Sequence, residues 1–350
     1  MKEPPVPAPK RILSGVQPSG KLHLGNYFGA IQQHIALQDE GDAFYFIADY
    51  HALTTVRDAE ERDLEDAKKQ GRKPRKAADL LRENVHDVAL DYLALGLDPA
   101  KAAFFRQSDV PEVAELAWIL ATVTGMGLLE RAHSFKDKTA RGLSPSVGLF
   151  TYPILMAADI LIYRSHVVPV GRDQVQHLEM TRDMAGYFNQ SFGVEVFPLP
   201  RERHGESAQV PGTDGQKMSK SYGNTIEIFA EGKALKTAVM GVKTDSTPLE
   251  APKNPETCNA FALYQLFATA AEQAAMAAKY RAGGYGYGAA KGELLAKIEA
   301  YFAPPRAKRK QLAADPAAVE AVLQAGAKRA RAEAQATMAL VRKAAGLTPA

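Results

Sequence analysis

The chain has 350 residues, 46% apolar and 24% charged, which is the ordinary composition of a soluble globular protein with one or two domains. No apolar run is long enough to cross a bilayer, and the net charge of +3 does not by itself indicate a nucleic-acid partner. The single cysteine, Cys258, excludes an internal disulfide and a cysteine-rich zinc site, and it fits a reducing cytoplasmic compartment.

Short apolar stretches alternate with helical patterns over most of the first two thirds of the chain. The first ten residues (1–10) contain four prolines and predict a flexible extended tail. Strands are predicted at 11–16, 43–49, 102–108, 166–171 and 194–200, and helices at 24–39, 77–96, 112–130 and 150–164. This alternation is typical of a doubly wound parallel sheet, in which ligands bind beyond the carboxyl ends of the strands. We therefore expect a Rossmann-like α/β domain over 11–231.

The last third of the chain has a different pattern. From about Gly232, alanine-rich helical segments replace the strands, at 259–281, 289–302 and 316–346. The sequence G-Y-G-Y-G-A nominally matches a dinucleotide-binding fingerprint, but no predicted strand precedes it, so we interpret it as a helix–helix turn. A helical domain is expected over 232–350. Its basic C-terminal end either faces phosphates or forms a solvated helix face. Within the α/β domain, 57–76 predicts a charged surface insertion.

The stretch PSGKLHLGN joins the first predicted strand to the first predicted helix. Such a turn directs backbone N–H groups and the positive end of the helix towards one point, which favours an anion. Gly25 lets a planar group approach the backbone, and His23 and Asn26 add side chains that hydrogen-bond to an anion. Taken alone, the stretch is also compatible with an ordinary turn and a surface histidine.

A second stretch, GQKMSKSYGN, places Lys217 and Lys220 among serines and glycines in a predicted mobile loop. Lysine is a compact charge on a flexible stem, suited to a phosphate whose charge changes during a reaction. HLGN and KMSKS resemble the two signatures of class I aminoacyl-tRNA synthetases. The first departs from its fullest form, because Asn26 stands where that form ends in histidine.

Further stretches narrow the resemblance. SGVQPSGKLHLGNYFGAI, FIADYHALT, TYPILMAADILIY and VPVGRDQVQHLEMTRDMA together resemble the tryptophanyl-tRNA synthetase family, from Arg11 to the C-terminal helical segment. The resemblance implies a two-step reaction, in which ATP activates L-tryptophan to tryptophanyl-adenylate and the tryptophanyl group then passes to the 3′ end of tRNA(Trp). It also implies ATP with Mg2+ as the substrate complex, and a homodimer with tRNA lying across both subunits. The basic stretches near 306–310 and 328–331 would then meet tRNA phosphates. No histidine or cysteine cluster has metal-ligand spacing, so no structural metal is expected.

The stretch TYPILMAADILIYR is apolar on all sides except at Asp159. A buried carboxylate requires hydrogen bonds, and an indole N–H is a donor without acceptor capacity. The resemblance implies that Asp159 accepts the indole N–H, that Met156 and Tyr152 lie beside the ring, and that Gln174 lies near the substrate ammonium. A salt bridge between Asp159 and Arg164, and ordinary helix packing of Met156 and Tyr152, are the alternatives.

The resemblance assigns ATP to both signatures and to the turn after the fourth strand. It places Gly171 and Asp173 against the ribose and the backbone of Val210 against adenine, while Arg172 replaces a residue that is more often acidic. The expected ATP-binding residues are Gln17, Pro18, Ser19, Gly25, Asn26, Gly171, Arg172, Asp173, Val210, Lys217, Met218, Ser219, Lys220 and Ser221. The expected catalytic residues, which stabilise charge on the phosphates, are His23, Asn26, Lys217 and Lys220.

Other functions remain open at the level of sequence. Tyrosyl-tRNA synthetase shares the fold and both signatures, but Asp159 and its context argue against it. A nucleotidyltransferase with an H-x-G-H turn is disfavoured by the KMSKS loop. A non-catalytic paralogue that binds tryptophan or RNA would be free to lose the signature lysines, and both are present. Packing roles are compatible with His51 and Asp49, which lie at a strand end. The same holds for His177, on the helix that follows the fourth predicted strand.

Overall fold

A parallel five-stranded sheet organises the larger part of the molecule. The computed structural model describes residues 10–132, 146–171, 174–203 and 210–348. The strands are β1 (Arg11–Val16), β2 (Asp42–Ile47), β3 (Ala102–Arg106), β4 (Val167–Pro169) and β5 (Arg201–Arg203). Their order is β3-β2-β1-β4-β5, so the topological switch point lies between β1 and β4. This order, with all pairs parallel, confirms the predicted doubly wound α/β fold.

Helices connect and follow these strands. In the described part of the chain they are α1 (Leu24–Asn26), α2 (Gln32–Ala36), α3 (Asp49–Ala52), α4 (Val56–Gln70), α5 (Ala77–Ala94), α6 (Glu112–Val123), α7 (Met126–Glu130), α8 (Val147–Ile162), α9 (Val175–Phe192), α10 (Gly232–Met240), α11 (Asn259–Gln265), α12 (Ala270–Ala282), α13 (Tyr287–Ala313) and α14 (Pro316–Ala344). A π turn (Tyr27–Ile31) joins α1 to α2. None of these helices combines the length and the apolar character needed to cross a membrane.

The fifth strand lies later in the chain than the sequence predicts. The prediction of a strand at 194–200 is wrong, because the structure has no strand there and β5 begins at Arg201. Pro198 and Pro200 lack the N–H that a ladder needs. The N–H of Val196 instead donates to Asn189 Oδ1 (3.1 Å). Pairing begins after the second proline, where the N–H of Arg201 donates to the carbonyl of His166 (2.9 Å).

Contacts divide the chain into two compact units, which we name the sheet unit and the signature unit. The sheet unit falls within Met1–Gly20, His34–Gly205 and Asp315–Ala350, and the signature unit within Lys21–Gln33 and Glu206–Ala314. This division differs from the boundary at 231/232 that the sequence predicts. The last helix belongs to the sheet unit, and the short segment with the first signature belongs with the second signature.

The C-terminal helix α14 is part of the core of the sheet unit because it packs on β3. Gly326 makes this approach possible, since a Cβ there would overlap the carbonyl of Phe104. One face of α14 is buried in the same apolar cluster as the strands, through Ala327, Ala330, Ala334, Met338 and Val341. Small side chains on this face allow the helix to lie close to the sheet.

Basic residues of α14 form ion pairs within the sheet unit. The Nε of Arg331 donates to Glu112 (3.0 Å), and the Nε of Arg342 donates to Glu115 (2.7 Å). Arg329 pairs with Asp42. The sequence predicts that the basic stretch 328–331 faces phosphates. Both arginines of this stretch, however, already have carboxylate partners.

An aromatic cluster forms much of the core of the signature unit. Tyr27 packs edge-on against Tyr301 and Phe302 of α13, and Phe267 packs edge-on against both Phe28 and Phe302. The helix α13 continues through Pro304 and Pro305, past the predicted end at 302. The GYGYGA sequence (284–289) begins in the turn between α12 and α13 and ends in the first residues of α13, which confirms its interpretation as a helix–helix turn.

The predicted charged insertion at 57–76 contains an ordered element. The helix α4 ends at Gly71, whose φ of 64° suits glycine. Asp63 on α4 is buried and accepts hydrogen bonds from both Arg72 (2.6 Å) and Arg75 (2.6 Å). These bonds hold the pKa of the Asp63 carboxyl well below its usual range. The charges in this segment are therefore used to fix the chain that follows the helix.

Candidate active site

A cavity of about 440 Å³ opens at the switch point of the sheet unit. Its volume falls within the range of about 300–1,000 Å³ that is usual for small-molecule sites. The residues that line it come from β1, β2, β4, α2 and α8 and from the segments after β1, β2 and β4. Six residues that the sequence assigns to tryptophan or ATP are among them: Gln17, Tyr152, Met156, Asp159, Gly171 and Gln174.

Asp159 is the buried acid of this cavity, with a side chain that is 2% exposed. Its carboxylate accepts hydrogen bonds from the Nε2 of Gln107 (2.8 and 2.9 Å) and pairs with the Nε2 of His51 (2.8 Å). The partners are therefore not Arg164, the alternative that the sequence suggests. Burial raises the pKa of Asp159, and the hydrogen bond from His51 opposes that rise. A carboxylate has about four acceptor positions, so capacity remains for a further donor.

The two partners of Asp159 follow neighbouring strands. His51 lies on α3, just after β2, and Gln107 comes directly after β3. The Oε1 of Gln107 also accepts the N–H of Tyr50 (3.1 Å), and the Oδ1 of Asp49 accepts the N–H of Ser108 (2.9 Å). These bonds tie the carboxyl ends of β2 and β3 together. They fix the donors that face Asp159.

No motif in the sequence marks Gln107, and the role of His51 is open at the level of sequence. The available signal for Gln107 was its position, a polar residue immediately after a buried strand. In the structure Gln107 is fully buried, and a buried amide needs hydrogen-bond partners. Its partner, Asp159, is 52 residues away, and no pattern in one sequence reveals that pairing.

The remaining cavity residues have defined neighbours. The hydroxyl of Tyr152 hydrogen-bonds to the Nε2 of His177, which is buried on α9. The Nε2 of Gln17 donates to the hydroxyl of Thr55 (3.3 Å). The N–H of Gln174, the residue before α9, donates to the carbonyl of Gly171 (2.9 Å). Each of these polar side chains or turns is held by residues of the sheet unit.

Several predicted ATP residues lie at the edge of this region or outside the described residues. Pro18 is buried and Ser19 is exposed, and the N–H of Ser19 donates to the carbonyl of Gln17 (2.9 Å). Arg172 and Asp173 lie outside the described residues. The ribose contact that the sequence predicts for Asp173 therefore remains a prediction.

The two signatures contact each other within the signature unit, although they are 193 residues apart. The N–H of Gly25 donates to the Sδ of Met218 (3.3 Å). A Cβ at Gly25 would lie 3.0 Å from the Nδ1 of His23 and 3.2 Å from the Cβ of Met218, so only glycine fits without displacement. The Oδ1 of Asn26 accepts the N–H of His23 (3.1 Å), which leaves the amide NH2 of Asn26 for other acceptors.

His23 is neutral at physiological pH. Burial, and then the positive charge of Lys220, lower its pKa to about 4. A neutral imidazole has one N–H donor and one acceptor nitrogen, and the buried Nδ1 of His23 has no hydrogen-bond partner among the described residues. The first signature is fixed by backbone pairing, since the N–H of Leu24 donates to the carbonyl of Ile226 (3.0 Å).

The second signature forms a tight loop. Lys217 pairs with Pro211 in an antiparallel bridge, and the N–H of the buried Met218 donates to the carbonyl of Val210 (3.0 Å). The hydroxyls of Ser219 and Ser221 are 2.9 Å apart. The structure thus brings together His23, Gly25, Asn26, Val210, Lys217, Met218, Ser219, Lys220 and Ser221 in the signature unit. In the described residues no cluster of three or more His, Cys, Asp or Glu side chains is arranged to hold a metal ion.

The sheet is doubly wound and parallel, with a cavity at its switch point, and the glycine-bearing first signature contacts the lysine-bearing second one. These features together define a class I synthetase architecture. The profile of the family "tRNA synthetases class I (W and Y)" matches residues 7–303, and the chain belongs to this family.

Relatives within the family carry a more specific name. The tryptophan–tRNA ligase of Rhodopirellula baltica is 55% identical over 338 residues, covering 96% of this chain and 99% of that protein. The tryptophan–tRNA ligase of Fusobacterium nucleatum is 54% identical, covering 92% of this chain and 93% of that protein. The crystal structure of tryptophanyl-tRNA synthetase from Campylobacter jejuni, complexed with ADP and tryptophan, has a TM-score of 0.86 and 47% identity, covering 96% of this chain and 99% of that chain.

Proposed function

We infer that this chain is a tryptophan–tRNA ligase, which activates L-tryptophan with ATP and transfers the tryptophanyl group to tRNA(Trp). The observation that favours tryptophan is Asp159, a buried carboxylate at a cavity that is otherwise largely apolar. An indole N–H is a lone donor on an apolar ring, and Asp159 is its complement. The near full-length identity to ligases of that name supports the same function.

In the sheet unit the cavity selects the amino acid. Asp159 accepts the indole N–H, while His51 and Gln107 hold its carboxylate in place. Met156 and Tyr152 lie beside the indole ring, and the side-chain oxygen of Gln174 accepts a hydrogen bond from the substrate ammonium. Because His51 and Gln107 orient the acceptor before the substrate arrives, little ordering is left for the binding step.

In the signature unit the side chains act on ATP. The carboxylate of tryptophan attacks the α-phosphate, the bond to pyrophosphate breaks, and negative charge grows on the leaving oxygens. Lys217 and Lys220 neutralise that charge, and the amide of Asn26 and the neutral imidazole of His23 donate hydrogen bonds to it. Gly25 leaves room for adenosine and the backbone of Val210 contacts adenine, while Gly171 and Asp173, which follow β4 in the chain, bind the ribose. Catalysis then depends on position and charge, without a covalent enzyme intermediate.

Magnesium belongs to the substrate in this proposal. Mg2+ binds phosphate oxygens readily and keeps several of its waters, so it needs few protein ligands. It enters with ATP and supplies positive charge beside the phosphates. In the second step a ribose hydroxyl of tRNA takes the tryptophanyl group from the adenylate and releases AMP. The reaction serves translation in the cytoplasm.

The test is ATP–pyrophosphate exchange measured with each of the twenty amino acids. Exchange with tryptophan alone is expected, followed by tryptophan-dependent charging of tRNA(Trp). Exchange with tyrosine instead would replace the proposed substrate. An absence of exchange with every amino acid would point to a paralogue that binds without catalysing.

We further propose a homodimer formed through an apolar groove of the sheet unit. Leu53, Ala114 and Leu155 line this groove, and Trp118 lies one helical turn after Ala114 on the same face of α6. Trp118 is 72% exposed, which is unusual for so large an apolar side chain. Sedimentation should give a dimer for the wild type, and Trp118→Glu should shift it towards monomer. A monomeric wild type would rule the proposal out.

A further inference from the structure

The side chain of Asn224 lies at the centre of the second signature loop. It is 2% exposed and makes three hydrogen bonds. Its Nδ2 donates to the Oδ1 of Asp214 (2.7 Å) and to the carbonyl of Lys217 (3.1 Å), and its Oδ1 accepts the N–H of Ser219 (2.8 Å). The orientation of the amide follows from its surroundings, because two acceptors face one side and one donor faces the other.

These bonds grip the main chain on both sides of Met218. One goes to the residue before it and one to the residue after it. The N–H of Met218 donates to the carbonyl of Val210, and the N–H of Gly212 donates to the carbonyl of Gln216 (2.6 Å), so backbone bonds hold the same stretch as well. The main chain of the signature is therefore fixed at consecutive residues, and with it the starting direction of the Lys217 side chain.

The surroundings are fitted to this amide. A Cβ at Gly212 would overlap the side-chain amide of Asn224, so the loop leaves space for that group alone. Asp214 also accepts the N–H of Gln216 (3.0 Å), which fixes its own orientation. The hydrogen bond from Asn224 is the leading cause that lowers the pKa of Asp214. Asp214 is thus an ionised partner that orients the amide towards the loop.

We propose that Asn224, oriented by Asp214, is a positioning residue for adenylate formation, which holds the backbone of Lys217 to Ser219 so that the lysine charge meets the reacting phosphates. The inference rests on the proposed function. The interaction with phosphate strengthens as charge develops, so misplacement of the loop acts mainly on the rate of the chemical step. Binding of tryptophan is left unchanged, because its pocket residues belong to the sheet unit.

The primary variant is Asn224→Ala, which removes all three side-chain bonds. Single-turnover adenylate formation should slow by roughly 30-fold, since several hydrogen bonds that fix a charged group are removed together. The KM for ATP should rise less than the rate falls, and tryptophan affinity should stay within about twofold of wild type. Asn254→Ala is the matched control, because Asn254 caps a short helix of the same unit by accepting the N–H of Glu256, and its carbonyl accepts the hydroxyl of Thr257.

A second test exchanges the charges of residues 224 and 214. It leaves the volume of both side chains nearly unchanged, so no void is created by the substitution. Asn224→Asp places a carboxylate against the Oδ1 of Asp214, and the resulting repulsion should slow the step at least as much as alanine does. Adding Asp214→Asn removes the repulsion between the two carboxylates, and part of the rate should return. A purely structural role predicts recovery of thermal stability with no matching recovery of rate.

Each outcome has a distinct meaning. If the wild type exchanges pyrophosphate with tryptophan and Asn224→Ala does so at the same rate, the inference is wrong while the proposed function stands. If the alanine variant loses tryptophan affinity and rate in equal measure, Asn224 maintains the fold only. If the wild type shows no exchange, the proposed function itself fails. If the alanine variant does not fold, the comparison of Asn224→Asp with the double variant that also carries Asp214→Asn decides.

Discussion

At the scale of single residues, Asp159 shows how a catalytic fold prepares a polar contact inside an apolar pocket. The carboxylate is buried, yet two donors from separate strand ends stabilise it before any substrate binds. A buried carboxylate with too few partners would be costly. The sequence reveals the acid, because it is the single charged residue of an apolar helix pattern. It does not reveal the partners, since they meet the acid only through the order of the strands.

Asp159→Ala should lower kcat/KM for tryptophan by roughly 10- to 150-fold, the effect of losing a charge-assisted hydrogen bond. A substrate methylated on the indole nitrogen cannot donate that bond, so the wild type should reject it and the variant should reject it much less. Two enzymes and two substrates in pyrophosphate exchange form a double-mutant cycle. Additive effects would show that Asp159 and the indole nitrogen do not interact.

His34 gives a pH prediction. Burial lowers its pKa to about 4, and its Nδ1 hydrogen-bonds to the hydroxyl of Ser14 (3.0 Å). Between pH 6.5 and 4 the unfolded chain binds a proton at this position and the folded chain does not. Its contribution to stability is therefore full above pH 6.5 and is lost as the pH falls to 4.

His34→Asn should make the free energy of unfolding less dependent on pH in this range. The slope should fall by at most about 1.4 kcal/mol per pH unit, which corresponds to one proton. Denaturant unfolding at pH 7, 6, 5 and 4.5 measures that slope. His86→Asn, at an exposed position on α5, reports the general cost of the same substitution. Equal slopes for wild type and His34→Asn would contradict the assignment. His23, whose pKa is also lowered to about 4, would then be the next candidate.

At the scale of elements, the sequence predicts the central strands and the length of most helices, because burial and periodicity act locally. It fails where position depends on partners. The fifth strand starts three residues after Pro198 because pairing needs N–H groups. The helix α13 runs through two prolines because tertiary packing of Phe302 and the burial of Arg306 hold both sides of the interruption.

The docking of α14 on β3 can be tested with a pair of helix glycines. Gly326→Ala should destabilise the sheet unit by about 3 kcal/mol or more, since the added Cβ meets the backbone at Phe104 and cannot be relieved by a side-chain rotation. Gly292→Ala on α13 has open space around its Cβ and should stabilise by about 0.5–1 kcal/mol. Urea titration measures both. Similar effects at the two positions would contradict the close approach of helix and strand.

At the scale of the whole molecule, the basic C-terminal region needs a revised interpretation. The basic pattern predicts that Arg306 meets tRNA phosphates, but its side chain is buried and its Nε and Nη2 donate to the carbonyl of Ile228 (3.0 and 2.8 Å). Composition alone cannot separate a structural arginine from an exposed one. Lys308 and Lys310 are exposed, and Lys310 forms a surface ion pair with Glu231.

Replacing Lys308 and Lys310 by alanine should weaken tRNA binding and reduce its salt dependence, by roughly one unit of slope for each phosphate that is no longer neutralised. Pyrophosphate exchange without tRNA should stay near the wild-type rate. Lys101→Ala, at an exposed ion pair of the sheet unit, is the control. Arg306→Ala should instead lower the unfolding midpoint. A wild-type salt slope in the double variant would mean that these lysines face solvent only.

The position of α14 also sets an order of events during synthesis. The ribosome releases the strands first, but the helix that covers β3 follows more than 200 residues later, a delay of tens of seconds at ~5–20 residues per second. Throughout that interval the nascent sheet presents an apolar surface to the cell. A chain stopped at Ala314 should bind a dye specific for exposed apolar surface, whereas the complete chain should not. Chaperones, rather than the enzyme's own sequence, would then protect the growing protein until its last helix arrives.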